Sequence, residues 1–246
     1  AAGGALVGTV VGVGGVFMIV AALYLAAALI TFRVPGTFKV DDKMDGSFVQ
    51  NFLAGIRYVR GRPSLFVIVL ISYVVAFSAF PYFVFLPGMV LDIFSRDAFE
   101  LGIITSAASV GSVAVAVAVA AVVQRPQAWG LFLGISFAFG LVVALFGLVP
   151  NYPLALLVII LIGGAEMGFI ALAMGLGMAY AHRLYDGRMQ ALIISSFSLF
   201  GVSSLLLGLL GDQIGIREAL VIEGTVGTVL VGIVIIYAHR INAFAD

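Results

Sequence analysis

Cysteine is absent from the chain, and histidine occurs only at His182 and His239. Without thiols there are no disulfides, no thiol nucleophile and no thiolate metal site. Two histidines, each beside an arginine at an expected helix end, do not make a His-built metal centre. No metal or other cofactor is therefore expected. Charge is scarce as well. Only 10% of residues are Asp, Glu, Lys or Arg, twelve basic against twelve acidic. A nucleic-acid partner calls for a concentrated basic face, which this composition does not supply. Long polar stretches are equally rare: a single one runs from Arg33 to Arg62.

What fills the chain is apolar. Hydrophobic residues make up 63% of 246, with mean hydropathy +1.24. A soluble domain is about half apolar and a quarter charged. A soluble core cannot hide this much apolar surface, so the lipid bilayer is the expected solvent. One long apolar segment precedes the polar stretch and six follow it. The expected fold class is an all-α polytopic membrane protein. The first residues, AAGGALVGTVVG, are already apolar and lack the basic flank of a signal peptide. They read as the interior of a helix, with earlier spans upstream.

Gly4, Gly8 and Gly12 recur every fourth residue in this opening piece. On one continuous helix they form a groove that lets a neighbouring backbone approach closely. Gly14-Gly15 reads as a turn, and 16–32 as a full or nearly full span. The polar stretch divides in two. VPGTFKVDDKMDG is linker-like, with Pro, Gly and mixed charge. In 47–60, Phe48, Phe52, Ile56 and Val59 share one helical face while Arg57 and Arg60 lie off it, with Ser47 as a cap. This is an amphipathic helix that lies either on the cytoplasmic membrane surface or on the protein's own loops. Six spans follow, at about 64–87, 99–123, 128–149, 153–180, 190–211 and 217–238. Each exceeds the roughly 20 residues needed to cross the hydrocarbon core.

Basic residues orient these spans. Arg33, Lys39, Lys43, Arg57, Arg60, Arg62, Arg125, Arg183, Arg188 and Arg240 fall on one side, and only Arg96 and Arg217 on the other. The positive-inside rule makes the first side cytoplasmic, and with it the C-terminus. The expected location is the inner (plasma) membrane, crossed many times.

A long basic stretch with an amphipathic helix, preceded by two apolar segments and followed by six, resembles the major facilitator superfamily from its fifth helix to its twelfth. Local sequence carries the same resemblance. GIRYVRGRPSLFVIVLISYVVAFSAFPYFVFLPGMV is similar to the seventh helix of the efflux branch that includes macrolide exporters and enterobactin-type siderophore exporters. The matching features are RYVRGRP, the Phe80-Pro81 step and Leu86-Pro87. YDGRMQALIISSF resembles that branch's approach to helix eleven, with Asp186 in place of an arginine, and LLGLLGDQIGIREAL its helix eleven to twelve turn. VVQRPQAW lacks the Asp-Arg-Gly cluster common between helices eight and nine. The resemblance implies three parts: 1–32 as the end of an N-terminal bundle, 33–62 as the loop between bundles, and 63–246 as the C-terminal six-helix bundle. The N-terminal bundle of the same chain is then an implied partner. The implied activity is secondary transport, with efflux of a small amphiphilic organic compound in exchange for protons. An uncoupled facilitator of the same fold and a non-transport membrane protein are the alternatives.

Glu166 is the sharpest candidate for proton coupling. It lies about 20 Å into its span at 1.5 Å per residue, near the midplane. An acid there faces a cavity or a partner. A structural hydrogen bond between two helices is the competing role. Glu223, six residues into the last span, is a second candidate, near enough to the interface to reach water. Tyr73, Phe77, Phe80 and Phe83 run along the span that Pro81 kinks. Tyr73, Phe77 and Phe80, with Ser109 and Met174, are candidates for lining a substrate cavity. Asp212 and Arg217 read as a pair across one turn. An embedded enzyme would need paired acids, histidine clusters or a nucleophile at membrane depth, and Glu166 stands alone.

Overall fold

A computed structural model describes residues 2–33, 48–122, 127–241 and 243. The expected linker and Ser47 lie outside them. The chain divides into two units, Ala1–Ser47 and Phe48–Asp246.

The first unit contains helix α1 (Ala2–Phe32). Gly12 interrupts it with φ 73° and ψ 167°, a left-handed conformation that glycine adopts at no steric cost. Gly4 and Gly8 precede this break, so the three glycines do not share one uninterrupted face. Gly14 and Gly15, expected to turn, are helical. The break falls two residues earlier, where the backbone itself departs from helix. Gly14–Phe32 is long and apolar enough to cross a membrane.

The second unit is helical throughout, with no strand among the described residues. Helix α2 (Phe48–Arg60) is the amphipathic element. Its Phe52, Ile56 and Val59 share a cavity with Phe66, Val69, Tyr73 and Leu192 of later helices. Packing on the protein's own loops is the expected alternative to a membrane surface; this face of α2 meets later helices instead.

Six long apolar stretches follow, Pro63–Ile93, Ala98–Ala120, Ala128–Leu148, Tyr152–Tyr180, Arg183–Ile214 and Ile216–Arg240. They match the expected spans within a few residues, apart from longer helical ends at Ile93 and Arg183. The first contains α3 (Pro63–Ser78) and α4 (Tyr82–Gly88), followed by a π-helical turn from Met89 to Ile93. Pro63 opens α3 where a missing N–H costs nothing. The break between α3 and α4 comes at Ala79–Pro81, because Pro81 has no N–H for the carbonyl of Phe77. Helix α5 (Ala98–Ala120) starts from a capping box of Asp97 and Glu100. Helices α6 (Ala128–Leu148) and α7 (Tyr152–Tyr180) are unbroken, and Asn151 caps α7.

The expected span at 190–211 is two pieces, α8 (Asp186–Ser195) and α9 (Ser198–Ile214). Gly215, at φ 102°, separates α9 from α10 (Ile216–Arg240). Packing is closest between α5 and α7 and between α6 and α10. A Cβ on Gly163 would run into the Ala108 carbonyl of α5, and one on Gly224 into the Ala144 backbone of α6. Both crossings therefore require glycine, since bare backbone lets helices approach closely. Phe132, Phe139, Phe146 and Phe169 are fully buried at the centre.

Candidate transmembrane acid site

The break in the first span of the bundle turns Tyr82 inward at the start of α4. Its side chain is 3% exposed, and its hydroxyl donates to Glu166 Oε2 of α7 at 2.8 Å. The hydroxyl gains the partner that a buried Tyr needs. Glu166 is half-buried at the middle of a 29-residue helix. The bond joins two positions 84 residues apart. An acid at this depth is expensive unless it has such a partner or a cavity.

Glu223 of α10 is a second acid near Tyr82, whose main-chain N–H is turned toward it. The approach falls short of a hydrogen bond, and neither carboxyl oxygen has a partner. The expectation that Glu223 reaches water is overturned: it is 2% exposed. The physical reason is direction. Gly224 and Gly227 draw α10 against α6 and α3, and Glu223 points into the bundle between them rather than along the helix toward the interface.

The candidate cavity residues do not converge. The Tyr73 hydroxyl shares a 2.8 Å hydrogen bond with Ser195 Oγ. Phe77 lines a cavity of about 200 Å³ that also contains Glu223. Phe80 is packed edge-on against Phe139, Phe169 and Phe197, with centroids 5.3, 6.1 and 4.9 Å away. Ser109 is exposed on α5, its hydroxyl donating to the Thr105 carbonyl at 3.3 Å. Met174 is half-buried on α7, and its carbonyl accepts from Gln190 Nε2 at 3.2 Å. Tyr73, Phe77 and Phe80 each meet a different set of neighbours, so the stripe does not line one cavity.

Tyr82 is the hydrogen-bond partner of Glu166 that sequence reasoning missed. It sits one position past Pro81, off the stripe formed by Tyr73, Phe77 and Phe80. A tyrosine hydroxyl next to a kink inside an apolar run is the signal that points to it, since such a hydroxyl requires a partner. The Asp212–Arg217 pair is a second correction. Arg217 donates to the Val149 carbonyl at 2.7 Å and the Gly147 carbonyl at 3.4 Å, at the end of α6. Those carbonyls are free at a helix C-terminus and attract a cation. Asp212 is exposed, and the one ion pair among the described residues is Arg96–Glu100.

At the end of the bundle where α2 lies, rings and guanidinium groups form a ladder. Arg62 lies 4.9 Å over Tyr58, Tyr58 stacks on Tyr185 at 3.9 Å, and Arg188 lies 5.2 Å over Tyr185. The His182 N–H donates to the Tyr58 hydroxyl at 2.9 Å. These contacts fasten α2 to the residues just after α7.

Among the described residues, seven stretches long and apolar enough to cross a membrane describe a polytopic membrane protein. A family profile described as Major Facilitator Superfamily matches residues 1–202. The chain belongs to the Major Facilitator Superfamily. No curated protein and no solved structure matches it. Within this superfamily chain, the matched residues include Tyr82 and Glu166, while Glu223 lies beyond them. Membership identifies a membrane transporter with the facilitator-type fold.

Proposed function

We propose that the chain acts in a secondary active transporter that exports a small amphiphilic organic compound by alternating access, in exchange for protons. Membership of the superfamily supports transport. The observation that carries the coupling reading is the Tyr82–Glu166 hydrogen bond at a helix break. Glu166 has one donor, supplied by the first residue of α4, just past the Pro81 break. When the α3–α4 break changes angle, that donor leaves and the carboxyl takes a proton instead. Proton loading is thereby tied to a conformational equilibrium. Glu223 is a second coupling candidate.

Substrate then passes between this bundle and an N-terminal bundle of the same protein, as two halves rock about a central site. Tyr73, Phe77, Phe80, Ser109 and Met174 are the proposed contributors from this side. The excess of basic residues on one side supports a plasma-membrane protein with its C-terminus in the cytoplasm. Export by an efflux-branch member is favoured by the motifs around Pro81. The role is transport rather than catalysis, with no cofactor.

One observation favours a second reading, an uncoupled facilitator: the same Tyr82–Glu166 bond also ties α4 to α7 as a static support. The test uses the full-length protein in proteoliposomes loaded with pyranine, with rhodamine 6G as the transported probe. Proton exchange predicts that dye movement and a lumenal pH change occur together and that both respond to the pH gradient. Dye movement without a pH change supports the facilitator, and a probe-independent ohmic current supports a channel.

A further inference from the structure

Helix α2 is seated along one flank only. A Cβ on Gly55 would touch Arg188 and Leu192, and Tyr58 stacks on Tyr185. The opposite flank carries Leu53, Arg57 and Arg60, whose i, i+4, i+7 spacing puts them on one side. All three are exposed, Leu53 by 53%. Neither arginine belongs to the ion pair found among the described residues, and α2 itself contains no Asp or Glu. Two guanidinium groups without a counter-charge therefore share a side with an exposed leucine.

Arg60 also lines the cavity between α2, α3 and α8, which has a volume of about 240 Å³. It is the one charged side chain there. The other lining side chains are apolar apart from the Tyr73 hydroxyl, which is already bonded to Ser195 Oγ. The α3 wall runs from Phe66 to Tyr73, about 10 Å along the helix at 1.5 Å per residue. That wall belongs to a stretch long and apolar enough to cross a membrane. The cavity thus leads from exposed cationic groups into an apolar span.

We propose that this flank of α2 and the cavity beside it bind one anionic phospholipid. Its phosphate lies on Arg57 and Arg60, and part of one acyl chain fills the cavity. A guanidinium group matches a phosphate with two parallel hydrogen bonds. A soluble anion uses the arginines but not the apolar walls, and an uncharged apolar solute uses the walls alone. An acidic peptide likewise leaves a wall that descends a membrane-crossing helix unused. The volume lies below the roughly 300–1,000 Å³ typical of pockets for drug-sized ligands. It therefore takes a portion of one chain, and the rest of the lipid lies beside Leu53 in the bilayer. Neither Glu166 nor Glu223 lines the cavity, so its occupancy does not rest on proton exchange.

The test is equilibrium binding of radiolabelled dioleoylphosphatidylglycerol to the full-length protein in dodecyl maltoside. Saturable binding is expected, with dioleoylphosphatidylcholine competing at least about tenfold more weakly. An arginine near a membrane surface contributes about fivefold in affinity for anionic lipid. Arg57→Gln and Arg60→Gln together should therefore weaken binding at least about tenfold. Val69→Trp, which fills the cavity, weakens it comparably without changing charge. The arginine pair, exposed and outside any ion pair, decides the matter if Val69→Trp does not fold. Arg183→Gln, an exposed arginine that does not line the cavity, leaves binding unchanged. The proposal is overturned if no saturable binding is seen, if phosphatidylcholine competes as well as phosphatidylglycerol, or if the double arginine variant binds like wild type. Competition by soluble glycerophosphoglycerol equal to that of the lipid would also overturn it, leaving a site for a free anion. Binding of polyglutamate without saturable lipid binding would overturn it in favour of an acidic protein partner.

Discussion

Tyr82 and Glu166 meet across 84 residues of chain, and their hydrogen bond is the smallest unit on which the proposed proton exchange rests. Removing a hydrogen bond to a charged group costs about 1.5–3 kcal/mol, roughly a ten- to hundredfold effect. Tyr82→Phe in the full-length protein is therefore expected to slow pH-driven rhodamine 6G flux by at least about tenfold. Bound dye, measured by equilibrium titration, should change little. Equal losses in both would make Tyr82 a structural tie alone. Glu166 was legible in the sequence because an acid stands out in an apolar run of that length. Tyr82 was not, since its role depends on how Pro81 turns α4 toward α7. Glu223 was visible as an acid but not as a buried one. Its burial comes from the close α6–α10 and α3–α10 crossings at Gly224 and Gly227, which no local pattern announces.

Helices in this bundle are fixed by their closest crossings and their caps. Gly163 and Gly224 sit where any Cβ would strike a neighbouring backbone, whereas Gly130 and Gly134 of α6 have open space beside them. Overpacking costs about 1–3 kcal/mol, so Gly163→Ala and Gly224→Ala are each expected to lower the thermal midpoint in detergent by several degrees. Gly134→Ala should instead raise stability by about 0.5–1 kcal/mol, through reduced backbone freedom in the unfolded chain. Indistinguishable midpoints for all three would contradict the crossings.

The start of α5 makes a pH prediction. Hydrogen bonding with Glu100, through side chain and then main chain, and with the Phe99 N–H holds the Asp97 carboxyl below the ordinary carboxylate range. A depressed value in the folded state means that this stability is present above the unfolded carboxylate value and is lost as pH falls through the folded one. Amide exchange at Phe99 and Glu100 is expected to accelerate selectively in acid. Asp97→Asn should remove most of that acid dependence. Span existence and order were legible because composition alone sets them. The split between α8 and α9 was not, because no proline or glycine marks Ser196–Phe197.

For the whole molecule, the absence of cysteine becomes an experimental advantage. Single cysteines at Gly187 and Gln213, both exposed, test the orientation in intact cells with a membrane-impermeant maleimide. Gln213→Cys is expected to label from outside and Gly187→Cys only after permeabilisation; the reverse pattern would invert the topology. The family was legible from the order and spacing of weak motifs. The acid arrangement was not, because it is assembled from α4, α7 and α10, which are distant in sequence.

Proton exchange through Glu166 is tested most directly by separating exchange from accumulation in one proteoliposome preparation. With Glu166→Gln, rhodamine 6G should still exchange across the membrane when the dye is present on both sides. The mutant should fail to concentrate it against a gradient when only a pH difference is imposed. Undiminished pH-driven accumulation by Glu166→Gln would contradict the assignment.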